Sequence, residues 1–169
     1  RDPEMSRGLG DVYKRQQFVV LGSGDWEYEQ FFKEMQAKYP GRFVLCQGFV
    51  PELARKIYGG SDIFLMPSKS EPCGLSQMVA LRYGSIPVVR ETGGLKDSIT
   101  DSGDGKGNGF TFQTYDTQDM LNSVHRAIYA YNESKDGWKV LMERAMACDN
   151  SWGRSANDYI RLYKQLINS

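Results

Sequence analysis

Short apolar runs that alternate with amphipathic helical stretches limit the fold of this chain more than any other feature. Such runs predict strands within residues 18–25 (FVVLGSGD, which closes on a tight turn at Gly22 and Gly24), 42–49 (RFVLCQGF), 62–68 (DIFLMPS, stopped by Pro67) and 86–89 (IPVV). Helical periodicity fills the segments between them. Strands joined by helices pair in parallel through right-handed crossovers, and helices cover both faces of such a sheet. The alternation therefore predicts an α/β domain with a Rossmann-like, doubly wound parallel sheet.

The C-terminal part of the sequence predicts one more strand and three helices. A glycine-rich loop, residues 101–109, precedes a short predicted strand at Phe110–Phe112. Asp116 and Ser151 stand before amphipathic stretches, where a short polar side chain can accept hydrogen bonds from the first amides of a helix. A further amphipathic stretch surrounds Trp138. We therefore expect helices after both caps and around Trp138.

Length and charge narrow the class of protein. A chain of 169 residues is long enough for one domain with a complete core. Lys plus Arg and Asp plus Glu number 21 each, so the net charge gives no support for a nucleic-acid or anionic-membrane partner. The odd number of cysteines, 3, argues against a secreted disulfide framework and favours a cytoplasmic protein. Residues 1–16 are polar and aperiodic, so we expect a disordered or non-native tail before a domain over residues 17–169.

Ligands of an open parallel sheet bind outside the carboxyl ends of its strands. One loop at that edge reads SEPCGLSQ, residues 70–77, and leads into a helix predicted to begin at Leu75. The first amides of this helix, those of Gly74, Leu75 and Ser76, have no intrahelical partner, and no Asp, Ser or Thr stands directly before them as a cap. We expect these amides to bind an anionic oxygen. In the alternative, water occupies them and Glu71 is a solvated loop acid.

The other motifs carry less information. In ETGGL, residues 91–95, the consecutive amides of Gly93 and Gly94 can form an anion nest or only a tight turn. GSGD after the first strand is followed by Glu27 where a dinucleotide fingerprint has its third glycine, which disfavours an NAD site. His125 has no metal-ligand or catalytic constellation around it in sequence, so we interpret it as a structural or surface residue.

The stretch from Ser61 to Ile99 resembles the C-terminal domain of bacterial glycogen synthases and plant starch synthases (glycosyltransferase family 5). Its motifs follow the order of that family: a strand, Pro-Ser, Glu-Pro-Cys-Gly-Leu, a helix, Tyr-Gly-Ser-Ile-Pro-Val-Val and Thr-Gly-Gly-Leu. Weaker similarity covers most of the remaining chain. The resemblance implies the C-terminal half of a GT-B glycosyltransferase that moves glucose from ADP-glucose to the non-reducing end of an α-1,4-glucan with retention of configuration.

The same resemblance implies a set of site residues. Glu71 would face the transferred glucose and support the transition state, and Phe49 matches an aromatic residue that stacks on adenine. The implied nucleotide-sugar-binding residues are Phe49, Cys73, Gly74, Leu75, Ser76, Thr92, Gly93 and Gly94. ADP-glucose would be the donor substrate, and neither a metal nor another cofactor is implied.

The sequence differs from the family pattern at several places, and these differences change what we expect of its activity. The basic diphosphate contacts of the family lie in an upstream segment that this sequence lacks, and its acceptor-binding N-terminal domain is also missing. We therefore expect a fragment that is inactive alone and that meets its glucan through the missing domain. Val79 stands where many retaining GT-B enzymes have a second glutamate, which favours the glycogen and starch synthases.

Two alternatives to this function stay open. One is a related GT-B transferase that uses UDP-glucose. The other is a non-catalytic α/β binding module in which Glu71 and the glycines serve only turns. We expect a location in the bacterial cytoplasm, or in a plastid if the protein is of the plant type.

Overall fold

The computed structural model describes residues 16–168 of the chain. Within these residues the strands are β1 (Phe18–Gly22), β2 (Phe43–Gln47), β3 (Ile63–Met66), β4 (Ile86–Arg90) and β5 (Phe110–Phe112). The helices are α1 (Trp26–Lys38), α2 (Pro51–Gly60), α3 (Ser76–Tyr83), α4 (Gly93–Ser98), α5 (Thr117–Glu133), α6 (Lys135–Met146) and α7 (Trp152–Ile167). Every predicted strand is present, and strands and helices alternate up to α5.

The chain forms two compact units that divide between Ile57 and Tyr58. In the first unit β1 and β2 pair in parallel, and α1 packs against β2. Three phenylalanine rings join these elements, since Phe43 stacks on Phe18 at 5.4 Å and on Phe32 at 5.8 Å between ring centroids. Stacked aromatic rings therefore join β1, β2 and α1 in addition to the pairing of the two strands.

The strands of the first unit are more exposed than the sequence predicts. Phe18 is 46% exposed and Val19 is 43% exposed. Because consecutive residues of a strand point to opposite faces, both faces stay partly exposed at the start of β1 within the part of the chain that the structure describes. An apolar run indicates a strand, but the cover over its faces comes from other segments, so the expectation of burial on both faces is wrong here.

The second unit contains the core. Its sheet has the order β3-β4-β5 with all neighbours parallel. The central strand β4 is buried from Ile86 to Val89, and α3, α5 and α6 pack near it. The core cluster includes Leu81, Ile86, Val88, Val89, Leu95, Phe110, Trp138 and Leu141. The predicted α/β fold with parallel strands is confirmed.

Helix ends follow the sequence signals with one difference. Gly84 ends α3 in the left-handed conformation at φ 76°. The Asp116 side chain caps α5 by accepting hydrogen bonds from the amides of Gln118 and Asp119. Ser151 stands at the N-cap of α7, but its side chain makes no capping hydrogen bond. Within the described range, no helix combines the length and apolar character needed to cross a membrane.

The predicted tail, residues 1–16, lies outside the described residues apart from Gln16. The domain predicted over residues 17–169 stays a prediction.

Candidate functional site

The loop that joins β3 to α3, residues 67–75 and called here the Glu71 loop, lies directly against the start of α4. The amide of Gly94 donates a hydrogen bond to the carbonyl oxygen of Glu71 at 3.1 Å. A Cβ atom on Gly93 would lie 2.1 Å from that same oxygen, and one on Gly94 would lie 1.8 Å from the carbonyl oxygen of Cys73. Any side chain at either glycine would displace the loop, so the fold brings the SEPCGL and ETGGL motifs into contact through these two glycines.

This contact decides between the two interpretations of ETGGL that the sequence leaves open, an anion nest of consecutive free amides and a tight turn. The Gly94 amide is already bonded to the Glu71 carbonyl. The nest of two free donors is therefore wrong for this pair of residues, because the approaching loop occupies one of them. The role of Gly93 and Gly94 in nucleotide-sugar binding stays a prediction.

The start of α3 keeps its donors free, as the sequence predicts. Leu75 is the N-cap residue and provides no side-chain hydrogen bond, and Gly74 adopts the left-handed conformation at φ 70°. Among residues 16–168, the amides of Gly74, Leu75 and Ser76 donate to no protein acceptor. Free amides at a helix N-terminus, together with the positive end of the helix dipole, attract an anion. This place in the fold can therefore hold a phosphate oxygen.

The other predicted site residues of the second unit lie in the Glu71 loop and at the start of α4. The Glu71 side chain is partly buried, and its carboxylate makes no hydrogen bond or ion pair with any residue that the structure describes. Cys73 has a free and exposed thiol. Thr92 is the N-cap of α4 but makes no capping hydrogen bond with its side chain. A carboxylate without a protein partner beside free amides provides two opposite kinds of binding group for one ligand.

Phe49 belongs to the first unit, after the end of β2. Its side chain is 91% exposed, and the preceding Gly48 turns the chain with φ 104°. An exposed ring is available for stacking on a planar group.

Gln77 is a buried polar residue beside the site that the sequence interpretation missed. Its side chain is fully buried, and the two N–H bonds of Nε2 are shared among three acceptors, namely the carbonyl oxygens of Gly74 at 3.1 Å and Cys73 at 3.4 Å and Oγ of Ser98 at 3.1 Å. The available signal was its position, since Gln77 shares the inward face of α3 with Ala80 and Leu81. A polar residue on an apolar helix face needs buried partners.

Arg90 is a second residue that sequence reasoning missed. It lies at the end of β4, and its guanidinium donates to the carbonyl oxygens of Lys69 at 2.6 Å and Gln113 at 3.3 Å. The same group lies 5.6 Å from the centre of the Tyr115 ring. Arg90 therefore connects the first half of the Glu71 loop to the segment that follows β5 through hydrogen bonds from its guanidinium to backbone carbonyls.

The segment before Thr92 is anchored by a charged network. The Thr111 hydroxyl donates to Oε1 of Glu91 at 2.7 Å, and the Thr111 amide donates to Asp101 at 2.8 Å. Arg126 donates to both carboxylate oxygens of Asp101, at 2.9 and 2.8 Å. Partial burial alone would raise the pKa of Asp101, but the hydrogen bonds from Arg126, Thr111 and Gly103 outweigh it and lower the pKa to about 2. The carboxylate stays charged and holds the loop after α4 to β5.

Comparison with known sequences gives consistent matches. Residues 9–136 match the family described as glycosyl transferases group 1. The glycogen synthase of Geobacillus thermodenitrificans is 54% identical over 153 residues, which are 89% of this chain and 31% of that protein. The glycogen synthase of Pseudothermotoga lettingae is 50% identical over 89% of this chain and 32% of its own length. The chain thus spans about a third of the length of the curated relatives it matches.

Comparison with solved structures agrees. The catalytic domain of starch synthase IV from Arabidopsis thaliana, bound to ADP and acarbose, matches 98% of this chain and 36% of its own chain, with a TM-score of 0.79 and 37% identity. Sucrose-phosphate synthase from Thermosynechococcus elongatus matches with a TM-score of 0.61 at 20% identity, which supports the fold alone. The resemblance to glycogen and starch synthases is confirmed, and the chain belongs to the glycosyl transferases group 1 family.

Proposed function

We propose that this chain is the nucleotide-sugar-binding domain of a retaining glucosyltransferase of the glycogen and starch synthase type. The proposed reaction moves glucose from ADP-glucose to the non-reducing end of an α-1,4-glucan. One observation carries the proposal: the amides of Gly74, Leu75 and Ser76, free among the described residues, follow in the same loop a Glu71 carboxylate that has no partner among those residues. The glycogen synthase relatives and the starch synthase structure support the same class of reaction.

The amides would act on the diphosphate. When the bond between glucose and the diphosphate breaks, negative charge grows on the leaving ADP. Donors that are already fixed in place stabilise such charge without having to reorient during the reaction. Gly74 and the start of α3 provide donors of this kind, so the proposed step requires no metal ion.

Glu71 would act on the sugar. As the leaving group departs, the anomeric carbon and ring oxygen gain positive character, and a nearby carboxylate stabilises that charge. Partial burial of Glu71 strengthens this interaction relative to water, because the local dielectric constant is lower. Cys73, Thr92, Gly93 and Gly94 would line the sugar and phosphate pocket, and Phe49 would stack on adenine.

The partners and location follow from the same proposal. The α-1,4-glucan acceptor would bind through an N-terminal domain of the enzyme, and the residues described here would bind the donor. We propose a cytoplasmic location in a bacterium, or a plastid for a plant-type enzyme. Neither nucleic acid nor a membrane is a proposed partner, given the balanced charge of the chain.

Calorimetric titration of the chain with ADP, ADP-glucose and UDP-glucose tests the proposal. We expect saturable binding of the two ADP ligands and about tenfold weaker binding in Gly74→Ala, because misplaced amides lose their bonds to phosphate. In that variant a Cβ would lie 2.5 Å from Oε1 of Gln77. Gly105→Ala is the matched control, since Gly105 has a similar φ of 75° but open space around its Cβ position.

Each outcome of the titration has a distinct meaning. Tighter binding of UDP-glucose than of ADP-glucose would replace the proposed donor by UDP-glucose. No binding of any of the three ligands would favour a non-catalytic module and overturn the proposal. Equal losses of affinity in Gly74→Ala and Gly105→Ala would assign the effect to backbone strain instead of to the start of α3.

A further inference from the structure

Gln77 makes its hydrogen bonds to the very peptide groups that carry the free amides. Its Nε2 donates to the carbonyl oxygen of Gly74 at 3.1 Å and, at a longer 3.4 Å, to that of Cys73. The Cys73 carbonyl belongs to the same peptide group as the Gly74 amide, and the Gly74 carbonyl belongs to the same group as the Leu75 amide. One buried nitrogen therefore contacts both peptide groups that begin the proposed phosphate site.

Because a peptide group is rigid, fixing its carbonyl also fixes the direction of its N–H. A trans peptide group is planar, with its C=O and N–H pointing in opposite directions. Two carbonyl groups held towards the buried Gln77 amide therefore send the N–H groups of Gly74 and Leu75 away from it. Those two N–H groups donate to no acceptor within the described part of the chain. Without Gln77 either peptide could rotate and bring a carbonyl oxygen towards a bound phosphate, which would repel it.

Gly74 and Gln77 depend on each other sterically. A Cβ on Gly74 would lie 2.5 Å from Oε1 and 2.8 Å from Nε2 of Gln77. The absence of a side chain at residue 74 thus makes room for the Gln77 carboxamide, in addition to permitting the left-handed φ of 70°. This glycine therefore serves the close approach of a buried carboxamide.

Ser98 connects this arrangement to the second loop. Nε2 of Gln77 donates to Oγ of Ser98 at 3.1 Å, and that hydroxyl donates to the carbonyl oxygen of Gly94 at 2.6 Å. The Gly94 amide in turn binds the Glu71 carbonyl. Gln77 therefore belongs to a chain of hydrogen bonds that connects the Glu71 loop to α4 through Ser98.

The arrangement is not optimised for stability. Oε1 of Gln77 is buried and has no hydrogen-bond partner among the described residues. An unsatisfied buried oxygen costs stability, and such groups tend to be retained where function requires them. Nε2 of this side chain donates hydrogen bonds while Oε1 has no donor to accept from. This pattern agrees with a role in orienting the peptide groups that Nε2 contacts.

We propose that Gln77 is a positioning residue that aims the amides of Gly74 and Leu75 at the diphosphate of the nucleotide sugar. The inference rests on the proposed function, because it requires a diphosphate at the start of α3. Gln77 itself is fully buried and touches no ligand in this scheme.

Gln77→Met tests the inference, because methionine has a similar shape and lacks the N–H donors. We expect the affinity for ADP to fall about tenfold, since two charge-assisted bonds are misdirected. The affinity for adenosine should stay unchanged, because adenosine has no phosphate. Calorimetric titration of the wild type and the variant with both compounds measures this difference.

Ser123→Ala is the matched control. Ser123 is also buried, at 1% exposure, and donates to a backbone carbonyl, that of Thr111 at 3.1 Å. Both substitutions remove a buried donor, so both should lower the midpoint of thermal unfolding, whereas only Gln77→Met should weaken ADP binding. A purely structural role for Gln77 would make the two variants behave alike.

The outcomes separate this inference from the proposed function. If the wild type binds ADP and Gln77→Met binds it equally well, the aiming role is wrong and the proposed function stands. If Gln77→Met loses ADP and adenosine affinity to the same extent, or Ser123→Ala loses ADP affinity as well, the role is structural and the inference is overturned. If the folded wild type binds neither compound, the proposed function is wrong, and this inference, which depends on it, is wrong as well.

Discussion

At the scale of single residues, the Glu71 loop separates groups that can face a ligand from groups that hold the loop. The Glu71 carboxylate and the Gly74 amide have no protein partner within the described residues. Gln77 and Arg90 instead direct their N–H groups to loop carbonyls, at distances from 2.6 Å upwards. In a trans peptide group, a carbonyl that is bonded on one side leaves its N–H pointing to the opposite side. Fixed carbonyls are therefore how the loop presents donors to a ligand.

Glu71→Gln should separate catalysis from binding in the complete enzyme. The substitution keeps the size of the side chain and removes its charge, which matters most when positive charge develops on the sugar. We expect kcat to fall by roughly a hundredfold or more, while the affinity for ADP changes little. Steady-state kinetics with ADP-glucose and titration with ADP measure the two quantities.

Glu133→Gln serves as the control for that variant, since Glu133 is an exposed glutamate at the end of α5. It should keep the wild-type kcat. A Glu71→Gln enzyme with normal kcat and weakened ADP binding would contradict the assigned role, because the carboxylate would then be acting on the bound ground state.

At the scale of elements, the sequence predicts what depends on local pattern. Apolar runs located every strand, and the lack of a cap before α3 predicted the free amides at its start. Gly84 predicted the end of α3 because a left-handed residue terminates a helix there. These signals act over a few residues, so a single sequence contains all the information they need.

Contacts between distant segments were not predictable in the same way. The bond from the Gly94 amide to the Glu71 carbonyl, which rules out one of the two interpretations of ETGGL, joins residues from different loops. The roles of Gln77 and Arg90 were missed because both side chains bond to backbone carbonyls. Every residue has a backbone carbonyl, so the sequence does not show which one will be bonded. The exposure of Phe18 depends likewise on which segments cover β1. These contacts and exposures depend on which distant segments pack together, and a single sequence does not contain that information in its local pattern.

The link between Asp101 and Arg126 should make the stability of the second unit depend on acid pH. The pKa of Asp101 is about 2 in the folded protein and near 4 in an unfolded chain. Because the folded value is the lower one, the stabilisation is fully present above about pH 4 and is lost as the pH falls from about 4 towards 2. Urea unfolding at several pH values should show a shallower decline over this range in Asp101→Asn.

Asp136→Asn provides the comparison, as Asp136 is an exposed aspartate in the first turn of α6. This variant should keep the wild-type pH dependence. Should Asp101→Asn also keep it, the pairing with Arg126 would make no net contribution to stability in this pH range.

At the scale of the whole molecule, burial is distributed unevenly between the two compact units. None of the described residues in the first unit is buried, whereas the second unit contains the entire buried core of the described chain. Local stability follows the number of buried apolar contacts around a segment. The two units should therefore open with different free energies.

Hydrogen exchange should reveal this difference between β1 and β5. Both are edge strands of parallel sheets among the described residues, but the side chains of β5 are buried and those at the start of β1 are exposed. We expect the amides of β1 to exchange at least about tenfold faster than those of β5, because fewer apolar contacts oppose local opening. Mass spectrometry of peptides that cover each strand, normalised to the unfolded chain, measures the ratio. Equal protection of both strands would mean that the units open only together, and that burial within a unit does not set its local stability.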